Sequence, residues 1–172
     1  SRLTSEEIVL TGKYKSSILY APYGQTELNQ AREMLASIGG QDLIGRSYAS
    51  LSQGEKQLLL IARSLMEKPE LLILDEATSG LDLFARERLL DQIDKITQME
   101  QAPTILYVTH HVEEITVAVD HVLLLKEGEI IAQGPKVDIL QKEVMDRFYP
   151  QPVELIELGE DRYFVKVEVR SS

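Results

Sequence analysis

The sequence contains no cysteine, which excludes a disulfide framework and cysteine-based zinc sites and is compatible with a reducing compartment. It also lacks any long apolar run. Stretches such as Leu58-Leu59-Leu60-Ile61-Ala62 fall far short of the roughly 20 residues that a membrane-spanning helix needs. Any service to a membrane is therefore expected from its aqueous side. Basic charge is scarce: Lys and Arg total 18 against 28 Asp and Glu, for a formal net charge of −10. An average surface of this sign repels a phosphate backbone, so nucleic acid is not expected as a direct ligand. Internal repeats, heptad arrays and low-complexity tracts are missing as well. There is no signal-peptide pattern, and the chain opens on Ser1 rather than methionine, which leads us to expect a natural N-terminus upstream.

What is present suits one domain of 172 residues, or one domain with a small appendage. Ser5, read as an N-cap, with Glu6 and Glu7 in the first turn, predicts a helix to Tyr14 that "GKYKSS" breaks. Thr26 is read as the cap of a second helix. Its Leu28, Ala31, Met34, Leu35 and Ile38 recur at helical spacing, and Gly39-Gly40 stops it. Residues 1–50 thus read as a small helical unit. A third helix is predicted from about Glu55 to Met66, just ahead of Pro69.

The period then changes. "LLIL" (71–74) and "TILYVT" (104–109) are short continuous apolar runs separated by a helical segment from about Phe84 to Gln98. That is the pattern of buried parallel strands joined by a crossover helix, and the fold class it predicts is α/β. Further on, the sequence predicts a short helix (Val112 to Ala118), a strand "HVLLLKEG", a turn at Glu127-Gly128, a strand "EIIAQG" and a helical tail from about Pro135 to Phe148. Pro150 and Pro152 mark a boundary, after which "VELIEL" and "RYFVKVEV" flank the turn signal "GED" as an accessory β-hairpin.

Three features bear chemistry. Asp75 and Glu76 follow "LLIL", at the carboxyl end of a predicted parallel strand, where ligands of such sheets gather. One carboxylate of such a pair suits Mg²⁺ and its neighbour suits orienting or deprotonating a water; an acid pair taken alone also reads as a cap or a solvated turn. "LSQGEKQ" (51–57) sets a serine and a glycine just before a helix, where exposed N–H groups favour an anion. The same residues also read as an ordinary capping box of Ser52 and Glu55. His110 directly follows the second strand and suits a hydrogen bond to a phosphate oxygen, although a lone histidine is more often structural. His111 and His121 complete no metal-binding pattern with it.

In this order and at these intervals the residues resemble the ATP-binding cassette (ABC) ATPases over about Leu3 to Phe148, with the hairpin outside the common core. "LSQGE" resembles the family signature, "LLILDE" its Walker B strand, "SGLD" (Ser79 to Asp82) its D-loop, and "VTH" ending at His110 its switch histidine. The resemblance implies a partial P-loop NTPase fold with parallel core strands. It divides the chain into a helical subdomain at 1–50, the C-terminal part of the ATPase core at 51–149 and a β-hairpin extension at 150–172. It assigns Asp75 to Mg²⁺, Glu76 to the hydrolytic water and His110 to the γ-phosphate of ATP. Ser52, Gln53, Gly54 and Glu55 are assigned to ATP held by a second ABC subunit in a head-to-tail dimer, and Asp82 to that interface. Against the usual LSGGQ, Gln53 replaces the middle glycine and Glu55 the final glutamine. A carboxylate suits a helix start but not the neighbourhood of a triphosphate.

A Walker A loop, G-x-x-x-x-G-K-[ST], is missing. Its only echo is Gly12-Lys13, followed by Tyr14 and preceded by Glu7 where the first glycine belongs. In the family this loop precedes the helical unit, so the chain is expected to begin inside the cassette. A micromolar nucleotide complex is worth about 8 kcal/mol and each charged hydrogen bond roughly 1.5–3. Without three or more of them the chain alone is expected to bind ATP no better than millimolar. The implied parent is a cytoplasmic, membrane-peripheral subunit of a transporter with integral membrane partners. "EEIVLTGKY" resembles the matching stretch of importer ATPases for siderophores, cobalamin and similar chelates, which points to uptake. The alternative is a non-transport member acting at the ribosome or in DNA repair. The charged linker of the first and the long coiled coils of the second do not appear in this window.

Overall fold

A computed structural model describes residues 3–14, 22–159 and 161–168. The chain runs through α1 (Ser5–Lys13), α2 (Gln25–Ser37), α3 (Gln53–Leu65), β1 (Leu71–Asp75), α4 (Leu83–Thr97) and β2 (Thr104–Val108). It continues through β3 (His121–Lys126), β4 (Glu129–Pro135), α5 (Lys136–Ile139), α6 (Lys142–Phe148), β5 (Val153–Gly159) and β6 (Arg162–Val167). The α/β class expected from the period change is found. Two compact units form, the first ending at Val108 and the second beginning at Thr109.

In the first unit the starts of α1, α2 and α3 obey one rule. Thr4, not Ser5, caps α1, and the Glu7 carboxylate accepts the Thr4 N–H at 2.7 Å. Gly24, not Thr26, caps α2, and Glu27 accepts the Gly24 N–H at 3.0 Å. Ser52 caps α3 as expected. In each case a glutamate at the third helical position reaches back to the cap N–H, and that reach fixes where the helix begins. Ser5 and Thr26 therefore fall inside. At the other end of α1, Gly12 and Lys13 continue the helix and Tyr14 ends it; residues 15–17 of the predicted break lie outside the described residues.

Val9 and Leu10 of α1, Ala31 and Leu35 of α2, Leu59 and Ala62 of α3, and Leu89 and Ile96 of α4 pack with Leu72 and Leu74 of β1 into one core. β1 and β2 pair in parallel, Leu71 opposite Thr104 through Asp75 opposite Val108, with α4 as their crossover. The continuous apolar runs predict burial on both faces, but only one is covered among the described residues. Leu72 and Leu74 are buried, whereas Leu71 and Ile73 are 52% and 57% exposed, and Leu106 and Val108 of β2 are exposed beside them. Alternate side chains of a strand point to opposite faces, so the helices can cover only one set.

The second unit corrects two predicted helices. The helix Val112 to Ala118 is a single 3-10 turn, Val112–Glu114. The β-branched run Ile115-Thr116-Val117 is a poor helix continuation, and Glu114 is drawn inward, only 2% exposed, to accept the Thr109 hydroxyl at 2.6 Å. The helical tail breaks between α5 and α6. Ile139, Leu140 and Met145 all enter one core with Val122, Leu124 and Val153. At about 100° per residue, an unbroken helix would turn Met145 more than 100° away from both of the others. The break reconciles the three.

The two predicted hairpins form. β3 and β4 are antiparallel, with Glu127 and Gly128 both left-handed at φ 53° and 83°, as a tight two-residue turn requires. β5 and β6 pair antiparallel, Val153 opposite Val167; Glu160, in the predicted turn, lies outside the described residues. Arg162 of β6 donates through Nε to the Glu113 carbonyl at 2.8 Å, which ties this hairpin to the turn that follows His110. Among the described residues no helix is long and apolar enough to cross a membrane.

Candidate active site

β1 delivers two exposed carboxylates at its carboxyl end. Asp75 is its last residue, opposite Val108 of β2. Glu76 follows with φ at +46°, a left-handed conformation that costs a non-glycine residue on the order of 1–3 kcal/mol. Two backbone hydrogen bonds maintain it: the Glu76 N–H donates to the Val108 carbonyl at 2.9 Å, and its own carbonyl accepts the Ser79 N–H at 2.9 Å. Beneath this turn Ala77 and Thr78 are buried, and the Thr78 and Tyr107 hydroxyls lie 3.3 Å apart. The chain thus bends sharply at the strand end on a fixed base.

The turn leads to Asp82, the N-cap of α4, whose carboxylate accepts the Ala85 N–H at 3.0 Å. The start of α3 lies beside it. A Cβ on Gly54 would sit 3.4 Å from Ala85 Cβ and 3.9 Å from the Leu81 methyls. The structure therefore brings Ser52 to Glu55 together with Leu81 to Ala85.

At the start of α3 the expected capping box forms: Glu55 accepts the Ser52 N–H at 2.7 Å, and the Ser52 hydroxyl accepts the Glu55 N–H at 3.3 Å. A residue absent from the sequence reading joins it. Arg46 grips both Glu55 oxygens, Nη1 to Oε1 at 2.5 Å and Nη2 to Oε2 at 3.2 Å, and Nη2 also reaches the Ser50 carbonyl at 3.3 Å. The Arg46 guanidinium, aided by the Ser52 N–H and hydroxyl and opposed by burial, holds the Glu55 carboxyl down from 4.5 to about 2. A lowered carboxyl favours the folded state above its unfolded value, and that contribution is lost as pH falls from about 4.5 towards 2. Followed by carboxyl carbon chemical shift, Glu55 should titrate at about 2 and return towards the ordinary glutamate value in Arg46→Ala. An ordinary midpoint in the unaltered chain would show that the ion pair does not form in solution.

His110 lies two residues beyond the end of β2 and is exposed. Within the second unit its loop is braced by Thr109, whose hydroxyl donates to the buried Glu114 and accepts the His111 N–H at 3.0 Å. Glu114 is a second residue absent from the sequence reading. Its neighbour Glu113 is a carboxylate as well, so nothing between Val112 and Ile115 singles it out in the sequence. The His110 and His111 rings lie 4.0 Å apart, and His111 Nδ1 is 3.3 Å from Glu113.

No group of three or more His, Cys, Asp or Glu able to hold a metal occurs among the described residues. A single exposed strand-end carboxylate nevertheless suits Mg²⁺, which commonly takes one or two carboxylates and fills its octahedron with water and substrate phosphates. Asp75 fits that role and no dedicated protein cage.

Residues 2–79 match the family model described as ABC transporter. The chain is 64% identical over 169 residues, 98% of its length, to an ABC transporter ATP-binding protein of Streptococcus mutans. It is 54% identical over 163 residues, 95% of its length, to the ABC transporter ATP-binding protein YmeB of Lactococcus lactis. It spans 65% and 62% of those two relatives' own lengths. Among solved structures it resembles a transporter described as metal-chelate type, in an inward-facing conformation. The TM-score is 0.80 at 24% identity, with 99% of this chain and 68% of that chain covered. Similarity that runs along almost the whole sequence identifies the chain as a relative of the ABC transporter ATP-binding proteins.

Proposed function

We propose that this chain is the C-terminal, hydrolytic portion of the ATP-binding subunit of an ABC transporter. The observation that carries the reading is the display of Asp75 and Glu76 at the carboxyl end of β1, with Glu76 held left-handed by its bond to Val108. In this reading Asp75 holds Mg²⁺, and a bound ion there neutralises charge developing on the transferred phosphoryl group. Glu76 orients the attacking water and takes its proton. His110 donates a hydrogen bond to the γ-phosphate, from a loop that Thr109 and Glu114 brace.

Ser52, Gln53, Gly54 and Glu55 face the γ-phosphate of ATP carried by a second subunit, paired head to tail, and Asp82 lies at that interface. The helical subdomain (1–50), the core portion (51–149) and the hairpin extension (150–172) are the divisions of this reading, and the subunit sits at the cytoplasmic face of the cell membrane against integral membrane partners. The likeness of "EEIVLTGKY" to importer ATPases supports uptake as the direction. This chain carries no G-x-x-x-x-G-K-[ST] loop, so by itself it is not competent for turnover and binds ATP no better than millimolar.

The test is purification of the full-length subunit from solubilised membranes. Integral membrane proteins should co-purify and stimulate its Mg-ATP hydrolysis. Recovery of ribosomes or DNA in their place would overturn the transport reading in favour of a non-transport cassette. Vesicles of defined sidedness then decide the direction: ATP supplied on the subunit's side should drive substrate accumulation on that same side.

A further inference from the structure

Glu55 places a negative charge in the first turn of α3, the turn whose Ser52 and Gly54 the reading above aims at a triphosphate. Left alone, that carboxylate would repel the ligand. The structure compensates it with the two-pronged Arg46 contact, a geometry in which a guanidinium is at its strongest. Arg46 is itself held from behind. The Ser5 N–H and hydroxyl both donate to its carbonyl, at 2.9 and 3.1 Å. The neighbouring Gly45 N–H donates to Glu6 at 2.8 Å, and Glu6, only 4% exposed, is paired with Arg32 at 3.2 Å. Gly45 has φ at +79°, and a Cβ there would meet nothing within 4 Å, so the loop owes its path to backbone geometry and to these bonds. A hydrogen-bonded chain therefore runs from the start of α1, through Gly45 and Arg46, to Glu55 and the N–H of Ser52.

From this geometry we infer that Arg46 is a positioning residue for the nucleotide carried by the partner subunit: it cancels the Glu55 charge and, through Glu55, holds Ser52 in place. The inference rests on the proposed orientation of Ser52 and Gly54 towards that nucleotide. It differs from a purely structural brace in one respect. If the harm in losing Arg46 is an uncompensated charge, neutralising Glu55 repairs it; glutamine at 55 keeps an oxygen for the Ser52 N–H and carries no charge. If Arg46 only braces the loop, removing both partners repairs nothing.

The experiment uses the full-length subunit. ATP-dependent dimerisation is measured by light scattering in a Glu76→Gln background, and the KM and kcat for ATP in its absence. Arg46→Ala should raise the ATP concentration for half-maximal dimerisation, and KM, at least about tenfold, with kcat at saturating ATP changed by less than about threefold. These are the shifts expected when a charged contact near a ligand is lost. Arg46→Ala combined with Glu55→Gln should bring both ATP requirements at least about threefold below those of Arg46→Ala alone. An unchanged ATP requirement in Arg46→Ala, or a double variant as impaired as the single one, overturns the inference. Should Arg46→Ala fail to fold, Arg46→Gln takes its place: a lower ATP requirement when Glu55→Gln is added supports compensation, and no lowering refutes it. An unaltered subunit that neither hydrolyses ATP nor dimerises with it refutes the functional reading beneath the inference, a result seen before any Arg46 variant is compared.

Discussion

Replacing Glu76 with glutamine in the full-length subunit is expected to cut ATP turnover by roughly 10²–10⁴-fold, the usual scale for removing a general base, while ATP-bound subunit pairs accumulate. The structure explains why the loss should be chemical and not a matter of folding. Glu76 takes its left-handed conformation from backbone bonds, its N–H to Val108 and its carbonyl to Ser79, and glutamine bears the same strain as glutamate there. The side chain is exposed, so folding stability should stay within the small range typical of surface substitutions, about 0.5 kcal/mol. Asp75 retains its charge for Mg²⁺. Glutamine matches glutamate in size and can still hydrogen-bond a water, but it cannot take the proton. Phosphate release and light scattering with Mg-ATP check the two halves of the expectation. Hydrolysis within tenfold of the unaltered subunit would refute the role assigned to Glu76.

The residues on which that expectation rests are legible in the sequence because local order determines them. An apolar run that ends in two acids specifies a strand delivering carboxylates, and β1 does end at Asp75. Ser52 and Glu55, three apart before an amphipathic stretch, specify a capping box, and it forms. Legibility falls off where the deciding partner is distant. Arg46 belongs to the same site as Glu55, yet its orientation depends on Ser5, 41 residues earlier, which no spacing rule connects to it. The break after Ile139 is invisible to periodicity because it follows from the need of Ile139, Leu140 and Met145 to share a core. The short turn at Val112–Glu114 likewise reflects a burial, that of Glu114, whose partner Thr109 lies outside the predicted helix. The helix starts at Thr4 and Gly24 escape for a nearer reason: a nearby hydroxyl residue is the more conspicuous signal, but the glutamate that reaches back to the cap decides the start.

Gly12 separates a local reading from a tertiary one most sharply, and Gly12→Ala is expected to be the most destabilising single-methyl change in the first unit. In sequence, Gly12-Lys13 is the one echo of a phosphate-binding loop. In the structure both residues lie inside α1, and a Cβ at position 12 would fall 2.0 Å from the Arg63 carbonyl oxygen and 2.9 Å from its carbon. Real Cβ contacts keep beyond 3.0 Å, so α1 and α3 would have to part by about 1 Å. That separation would loosen the fully buried Val9 and Leu10 and the bond from Arg63 Nε to the Thr11 hydroxyl at 2.7 Å. Overpacking of this kind costs about 1–3 kcal/mol, sometimes more, whereas alanine in place of glycine stabilises a helix by roughly 0.5–1 kcal/mol. The clash wins because the nearest atoms are backbone, which no rotamer change can move. A net loss of about 1–2 kcal/mol should lower the melting midpoint by roughly 2–8 °C. Truncating Arg63 to alanine in the same chain should not restore it, since the carbonyl remains and the Thr11 bond is gone. A glycine kept for phosphate binding would behave in the opposite way, its alanine variant melting at or above the unaltered midpoint through the helix gain. Calorimetry on the chain without nucleotide therefore distinguishes a close helix crossing from a vestigial phosphate loop at this position.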